Sequence, residues 1–412
     1  MPDVAAPPTS RYARPTGTGA RSQRVTNLEL FYDLVFVFAI TQVSHLLLED
    51  LTWANAGRAT VILLAVWWSW NYTAWVTNEL DPDALVVRGL IVALMLASLL
   101  MAVAIPEAFG DRALLFAGSY VAIQVGRHGF LAFVAGRPGT VVRRRAIPIL
   151  VWFVAAGIFW IAGALADGEA RTILWLIALA IDYGAPLATF WLPVRIHIGM
   201  DAWNVGTSHF AERFQLFVII ALGESIVLTG ETTSHLHLDA ARLAAFAVAF
   251  LATAAFWWLY FDYVATIAER RLELAANRTI VARDAYTYLH VVMIAGVILS
   301  AVGDELVIAH PTEVLPTAEV LAVVGGPVIY LAAHVLFRWR IAGTFGVRRA
   351  AGAAASVAAI AVGLVAPALV LGATLLLILV AVIAAEQYAA HRRTVRGEPT
   401  PMDVLEERAR TP

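Results

Sequence analysis

The chain has 412 residues, 60% apolar and only 15% charged, with a mean hydropathy of +0.74 and a formal net charge of −2. A soluble composition, in which about a quarter of residues are charged, is excluded, which leaves an all-α polytopic membrane protein. The near-neutral charge suggests no nucleic-acid partner. The lack of cysteine excludes disulfides, thiolate metal sites and thiol catalysis.

All 29 basic residues are arginine. Without lysine there is neither a Walker A loop nor Schiff-base chemistry. No cofactor is expected.

Residues 1–25 are rich in Pro, Ser, Thr, Gly and Arg and read as a disordered basic tail, not a signal peptide. About 12 transmembrane helices follow, from apolar runs long enough to span a bilayer. In the first half they cover 27–48, 58–77, 85–105, 113–135, 146–166 and 171–193. In the second they cover 210–230, 240–262, 284–308, 315–337, 349–366 and 367–388, with Pro367 punctuating the last two. Residues 391–412 form a polar tail. With a cytoplasmic N-terminus, only Arg58, Arg112, Arg171 and Arg242 fall outside. The positive-inside rule therefore places both termini in the cytoplasm, and a bacterial inner membrane is expected.

The halves echo each other in order. Glu29-Leu-Phe31 is matched by Glu212-Arg-Phe214, Trp67-Trp68 by Trp257-Trp258, and Asp83-Ala84 by Asp284-Ala285. Tyr120, Gln124 and Arg127 resemble Tyr330, His334 and Arg338. Arg143–Arg145 correspond to Arg348-Arg349, and Asp182-Tyr183 to Glu386-Gln387-Tyr388. An even number of spans per copy gives two parallel six-helix repeats, 26–196 and 197–390.

Charges inside the runs are the candidate functional residues, because a bilayer penalises them. Thr26-x-x-Glu29 is a capping box that accounts for Glu29. Asp33, about 9 Å from the start of the helix, has no such account. Arg127 is expected at similar depth and is the expected partner of Asp33 or Glu29; a packing salt bridge is the bland alternative. Asp182 lies mid-run, four residues before the helix breaker Pro186. Gly223-Glu224 reads as a tight helix contact or as an ion-reading site.

His290, His334 and His128 read as proton relays or as satisfied hydrogen-bonding residues. His209-x-x-Glu212 has zinc-like spacing without HExxH, so no metal is expected. The clusters Trp67–Tyr72 and Phe256–Asp262 read as an interfacial aromatic belt or as the lining of a pathway.

Thr26-Asn-Leu-Glu-Leu-Phe-Tyr-Asp33 with its apolar run resembles the opening signature of the bacterial low temperature requirement A family. Glu212-Arg-Phe214 through Leu222-Gly-Glu224-Ser225, and Trp257-Trp-Leu-Tyr-Phe-Asp262, are similar to further family signatures. The resemblance implies a membrane protein tied to growth in the cold and carries no catalytic residues. Phe31-Tyr-Asp33 also looks like the Phe-Ser-Asp signature of duplicated six-helix potassium channels. It departs from that pattern at Tyr32, and the second half has no acid at Phe214-Gln-Leu216.

The expected activity is gradient-driven transport of a small solute or ion. Its polar pathway is drawn from Glu29, Asp33, Arg127, Asp182, Glu212, Glu224, Asp262, His290 and His334. A channel lined by the first helix of each repeat, and a non-transporting protein supporting growth in the cold, are the alternatives. No nucleophile–base–orienter set is present, so an enzyme is not expected. The expected partners are the lipid bilayer and an ion or small molecule, with a homodimer left open.

Overall fold

The computed structural model describes residues 12, 25–193, 206–262 and 264–410. Among them the elements are helical, without a strand. Nine stretches of the described residues are long and apolar enough to cross a membrane. The three other expected spans are also helical. Two fall short in hydropathy through Trp, Asn and Tyr in 58–77 and through Gln124, Arg127 and His128 in 113–135. The third, 349–366, breaks into two short helices at Ala359.

The chain divides into two compact units. Unit 1 comprises residues 1–46 and 54–213. Unit 2 comprises residues 47–53 and 214–412.

In unit 1 the helices are α1 (Asn27–Glu49), α2 (Trp53–Thr77), α3 (Leu85–Ala104), α4 (Ala113–Phe130), α5 (Val141–Leu165) and α6 (Gly168–Leu187). The first turns of α7 (Thr207–His235), through Arg213, complete it. Helices α3 to α6 pack as successive neighbours through short connections. Gly163 lets α5 approach α6, since a Cβ there would lie 2.7 Å from Trp175 Nε1.

Helix α2 is the core of the unit, with every residue from Ala65 to Thr77 buried. Its Trp67, Trp68 and Trp70 are at most 1% exposed, so this cluster is interior and not a belt at the membrane interface. Helix α1 turns Leu30, Phe31, Leu34 and Phe38 outward. Glu29, Tyr32, Asp33, Phe36 and Ile40 face inward. Both acids thus lie on the buried stripe, where protein groups can satisfy them and lipid tails could not.

Unit 2 holds the rest of α7, α8 (Ala240–Phe261), α9 (Val264–Glu273), α10 (Arg278–Val281) and α11 (His290–Ala309). It continues with α12 (Thr317–Ala342), α13 (Val347–Ala358), α14 (Ile360–Gly363), α15 (Ala368–Val395) and α16 (Pro401–Arg410). Between α10 and α11, residues 282–289 form a π-helix. Helices α11 and α12 pack with small residues between them. A Cβ on Gly296 would lie 2.7 Å from Tyr330 N, and one on Gly303 would lie 2.8 Å from Val323 Cα. A buried apolar cluster including Ala249, Ile308, Val320 and Leu371 joins α8, α11, α12 and α15. The second tryptophan pair behaves differently from the first: Trp257 and Trp258 are 48% and 45% exposed on α8.

Candidate functional site

The capping box forms as expected. The Thr26 amide and hydroxyl each donate to Glu29 Oε2 at 2.9 Å, closing the first turn of α1. One turn on, Asp33 Oδ1 accepts from Arg213 Nη2 at 2.6 Å and from Trp70 Nε1 at 2.8 Å. Arg213 also lies 3.4 Å from Glu29 Oε1 and donates to Thr77 Oγ1 at 3.1 Å. Its guanidinium sits 5.8 Å from the Trp70 ring. His209 Nε2 is 3.1 Å from Glu29.

With the Asn78 amide turned to donate, as its surroundings require, Asn78 bonds to His209 Nδ1 at 3.1 Å. Nδ1 is then the acceptor of that ring and Nε2–H the donor to Glu29. Glu29, His209 and Arg213 are fully buried and Asp33 is 1% exposed.

This corrects the expected partner of Asp33: its cation is Arg213, not Arg127. Asp33 lies six residues past the start of α1 and Arg213 six past the start of α7, a matching depth of about 9 Å. That match was present in the sequence as a signal. Arg127 offered the same depth, and only the structure supplies the direction in which each side chain points.

Arg127 is buried among neutral groups. Nη1 donates to Ser69 O at 3.0 Å and to Thr73 Oγ1 at 2.9 Å, and Nη2 bonds to Gln124 Oε1. The Tyr72 and Phe153 rings lie 5.5 and 5.8 Å from its guanidinium. Thr73 Oγ1 also accepts from Tyr32 OH at 3.0 Å. The residue beside Asp33 therefore connects the two arginine clusters through α2.

Asp182 stands apart from both cations. Oδ2 accepts from Tyr120 OH at 2.7 Å and from Trp160 Nε1 at 3.0 Å. Oδ1 is buried and accepts no hydrogen bond among the described residues. Tyr120, Gln124 and Arg127 occupy positions i, i+4 and i+7 of α4, so one face of that helix runs from the lone carboxylate to the buried guanidinium. Gln124 Nε2 and Arg127 Nε on this face are also buried and unpartnered among the described residues.

The remaining candidates are dispersed. Glu212 accepts from Val25 N at 3.1 Å, tying the entry of α1 to α7. The others lie in unit 2. Glu224, Ser225 and Thr229 are each buried on α7. Asp262 is exposed at the C-cap of α8, where Gln387 Nε2 donates to it.

His290 Nδ1 donates to Ala285 O at 3.1 Å, and Tyr260 OH donates to its Nε2 at 2.9 Å. The π-helix makes that five-residue step. His334 Nδ1 donates to Tyr330 O at 3.0 Å. Its ring meets the Tyr260 ring edge-on, with centroids 6.0 Å apart. Among the described residues no group of three potential ligands could hold a metal ion.

Residues 24–384 match the family of the bacterial low temperature requirement A protein (LtrA). The chain belongs to that family. It is also 36% identical over 305 residues to an uncharacterised protein of Rhizobium meliloti (strain 1021), covering 74% of each chain. No solved structure matches it. The family match takes in every residue of this chain's buried network, from Glu29 to Arg213.

Proposed function

We propose that this LtrA-family protein is a gradient-driven permease of a small ion or solute, with proton exchange at Asp182 as the coupling step. The observation that carries this reading is the carboxylate without a cation. Glu29 and Asp33 share Arg213, so a change of protonation at either one breaks an ion pair. Asp182 is held by two neutral donors on Oδ2 alone, and Oδ1 is left to take up or release a proton while both bonds persist. Ionisable groups inside membranes mark ion pathways and proton relays. The α4 face from Tyr120 to Arg127 continues the polar line inward from Asp182.

The reading includes two parallel six-helix repeats in the bacterial inner membrane with both termini cytoplasmic. Its support is the ordered sequence echoes and the arginine distribution. The closed Glu29–His209–Arg213–Asp33 cluster favours a second, structural role at that end of unit 1, as an anchor between α1, α2 and α7.

The test is reconstitution into liposomes loaded with pH- and cation-sensitive dyes under an imposed gradient. Wild-type flux above that of empty liposomes, abolished in Asp182→Asn, is expected. Equal flux from wild type and empty liposomes, or full flux from Asp182→Asn, overturns the reading.

A further inference from the structure

Unit 2 contains a cavity of about 470 Å³ where α9, the end of α12 and the C-terminal segment meet. Small-molecule sites span roughly 300–1,000 Å³, so a phosphate ester fits the space. Its charged lining is Arg271, Arg338, Arg349 and Arg393 against one acid, Glu398. Glu386 takes up the Arg349 charge through two contacts of 2.9 Å, and Glu398 lies 3.6 Å from Arg396. Four arginines thus face one carboxylate across the lining.

Arg338 uses Nε on Thr344 Oγ1 at 3.3 Å, and Arg271 uses Nη1 on Ile341 O at 3.4 Å. Arg393 is exposed. Planar guanidinium forks match phosphate oxygens, and in a chain without lysine arginine is the residue that supplies such a cation. Ile267, Phe337 and Leu405 supply an apolar side.

We infer that this cavity binds a phosphate-bearing anion, either the headgroup of an anionic phospholipid or a soluble phosphate ester, with α16 as its wall. That wall is held on α9 by a two-point ion pair. Arg270 Nε lies 2.7 Å from Glu406 Oε1, and Arg270 Nη2 lies 3.1 Å from Glu406 Oε2. Leu405 is 7% exposed beside it. Anion binding and docking of the C-terminal helix are thereby linked. Basic pockets between helix ends are a recurrent means of binding phosphorylated headgroups.

The experiment measures thermal unfolding of the full chain in two arms. One adds glycerol 3-phosphate to protein in a neutral detergent. The other compares nanodiscs of phosphatidylcholine with nanodiscs containing phosphatidylglycerol. A rise with glycerol 3-phosphate assigns a soluble ligand, and a rise confined to phosphatidylglycerol assigns a lipid headgroup. Either rise is expected to need about 100-fold more ligand in the Arg338→Gln/Arg393→Gln double variant, about tenfold for each arginine.

Arg393→Gln alone removes an exposed side chain and serves where the double variant fails to fold, with about a tenfold loss expected. No rise in either arm, or a rise unchanged in these variants, overturns the site. The readout is binding, so its failure is independent of the transport reading.

Discussion

Arg213 holds two carboxylates at once, and its effect on stability is best read through what each deletion leaves behind. Arg213→Gln leaves Asp33 and Glu29 buried without their shared cation. Removing one member of a buried pair costs about 3–5 kcal/mol, so a strongly lowered melting temperature in detergent is expected. Asp33→Asn is expected to cost less, because Arg213 keeps Glu29 at 3.4 Å and Trp70 Nε1 keeps an amide oxygen to donate to. The double variant Asp33→Leu/Arg213→Met replaces charges with apolar groups of similar volume and is expected to recover part of the Arg213→Gln loss. A loss in the double variant equal to the sum of those of Asp33→Leu and Arg213→Met alone would show that the two groups are not coupled. The capping role of Glu29 was legible because Thr26-x-x-Glu29 is a local pattern of neighbouring residues. The partner of Asp33 was not, since it depends on the rotation of α7 about its axis, and a depth count is blind to rotation.

Helix α2 shows the same limit at the scale of an element. Its Trp-, Asn- and Tyr-rich second half has the composition of an interfacial belt, yet all of it is enclosed, and Trp70 and Thr73 serve as donor and acceptor to the charged groups around them. The exposed Trp257-Trp258 pair on α8 has the same spelling and the opposite environment. Helical content, by contrast, followed directly from the long apolar runs.

Packing of α11 on α12 rests on glycine. A Cβ on Gly326 would come within 2.5 Å of Ser300 N and 2.7 Å of its Cα, backbone that cannot yield as a side chain would. Gly326→Ala is therefore expected to push the helices apart and lower the melting temperature, while Gly184→Ala, with open space around it, is expected to keep or raise it. At the C-terminal helix the sensitivity is to pH. The Thr400 hydroxyl and amide donate to Asp403 Oδ2 at 2.7 and 2.8 Å and hold its carboxyl below the usual carboxylate range. A carboxylate depressed in the folded state stabilises above its unfolded value, about 3.9 for Asp, and that stabilisation is lost as the pH falls through the depressed value. Amide protection in α16, corrected for intrinsic exchange, is expected to fall there in wild type and to lose this pH dependence in Asp403→Asn.

For the whole molecule, hydropathy and topology give different kinds of information. Nine described stretches are long and apolar enough to cross a membrane, whereas the proposed twelve crossings bring the arginine-rich loops to one side. The difference lies in α2, α4 and the broken α13–α14 region. An interior helix such as α2 can cross while reading as too polar, because protein and not lipid surrounds it. The count has a sharp consequence, since an odd number of crossings places the two ends on opposite faces and an even number on the same face. The absence of cysteine makes every introduced thiol the only one in the chain. With twelve crossings, Ser10→Cys, Pro138→Cys, Ala275→Cys and Glu398→Cys are expected to resist a membrane-impermeant maleimide in intact cells and to react after permeabilisation. Asp111→Cys, Asp167→Cys and His237→Cys are expected to react in intact cells. Labelling of Glu398→Cys but not Ser10→Cys in intact cells would require an odd number of crossings. An odd number among the crossings before α7 would also remove the parallel relation proposed for the repeats, because an even number there is what brings α1 and α7 in from the same side.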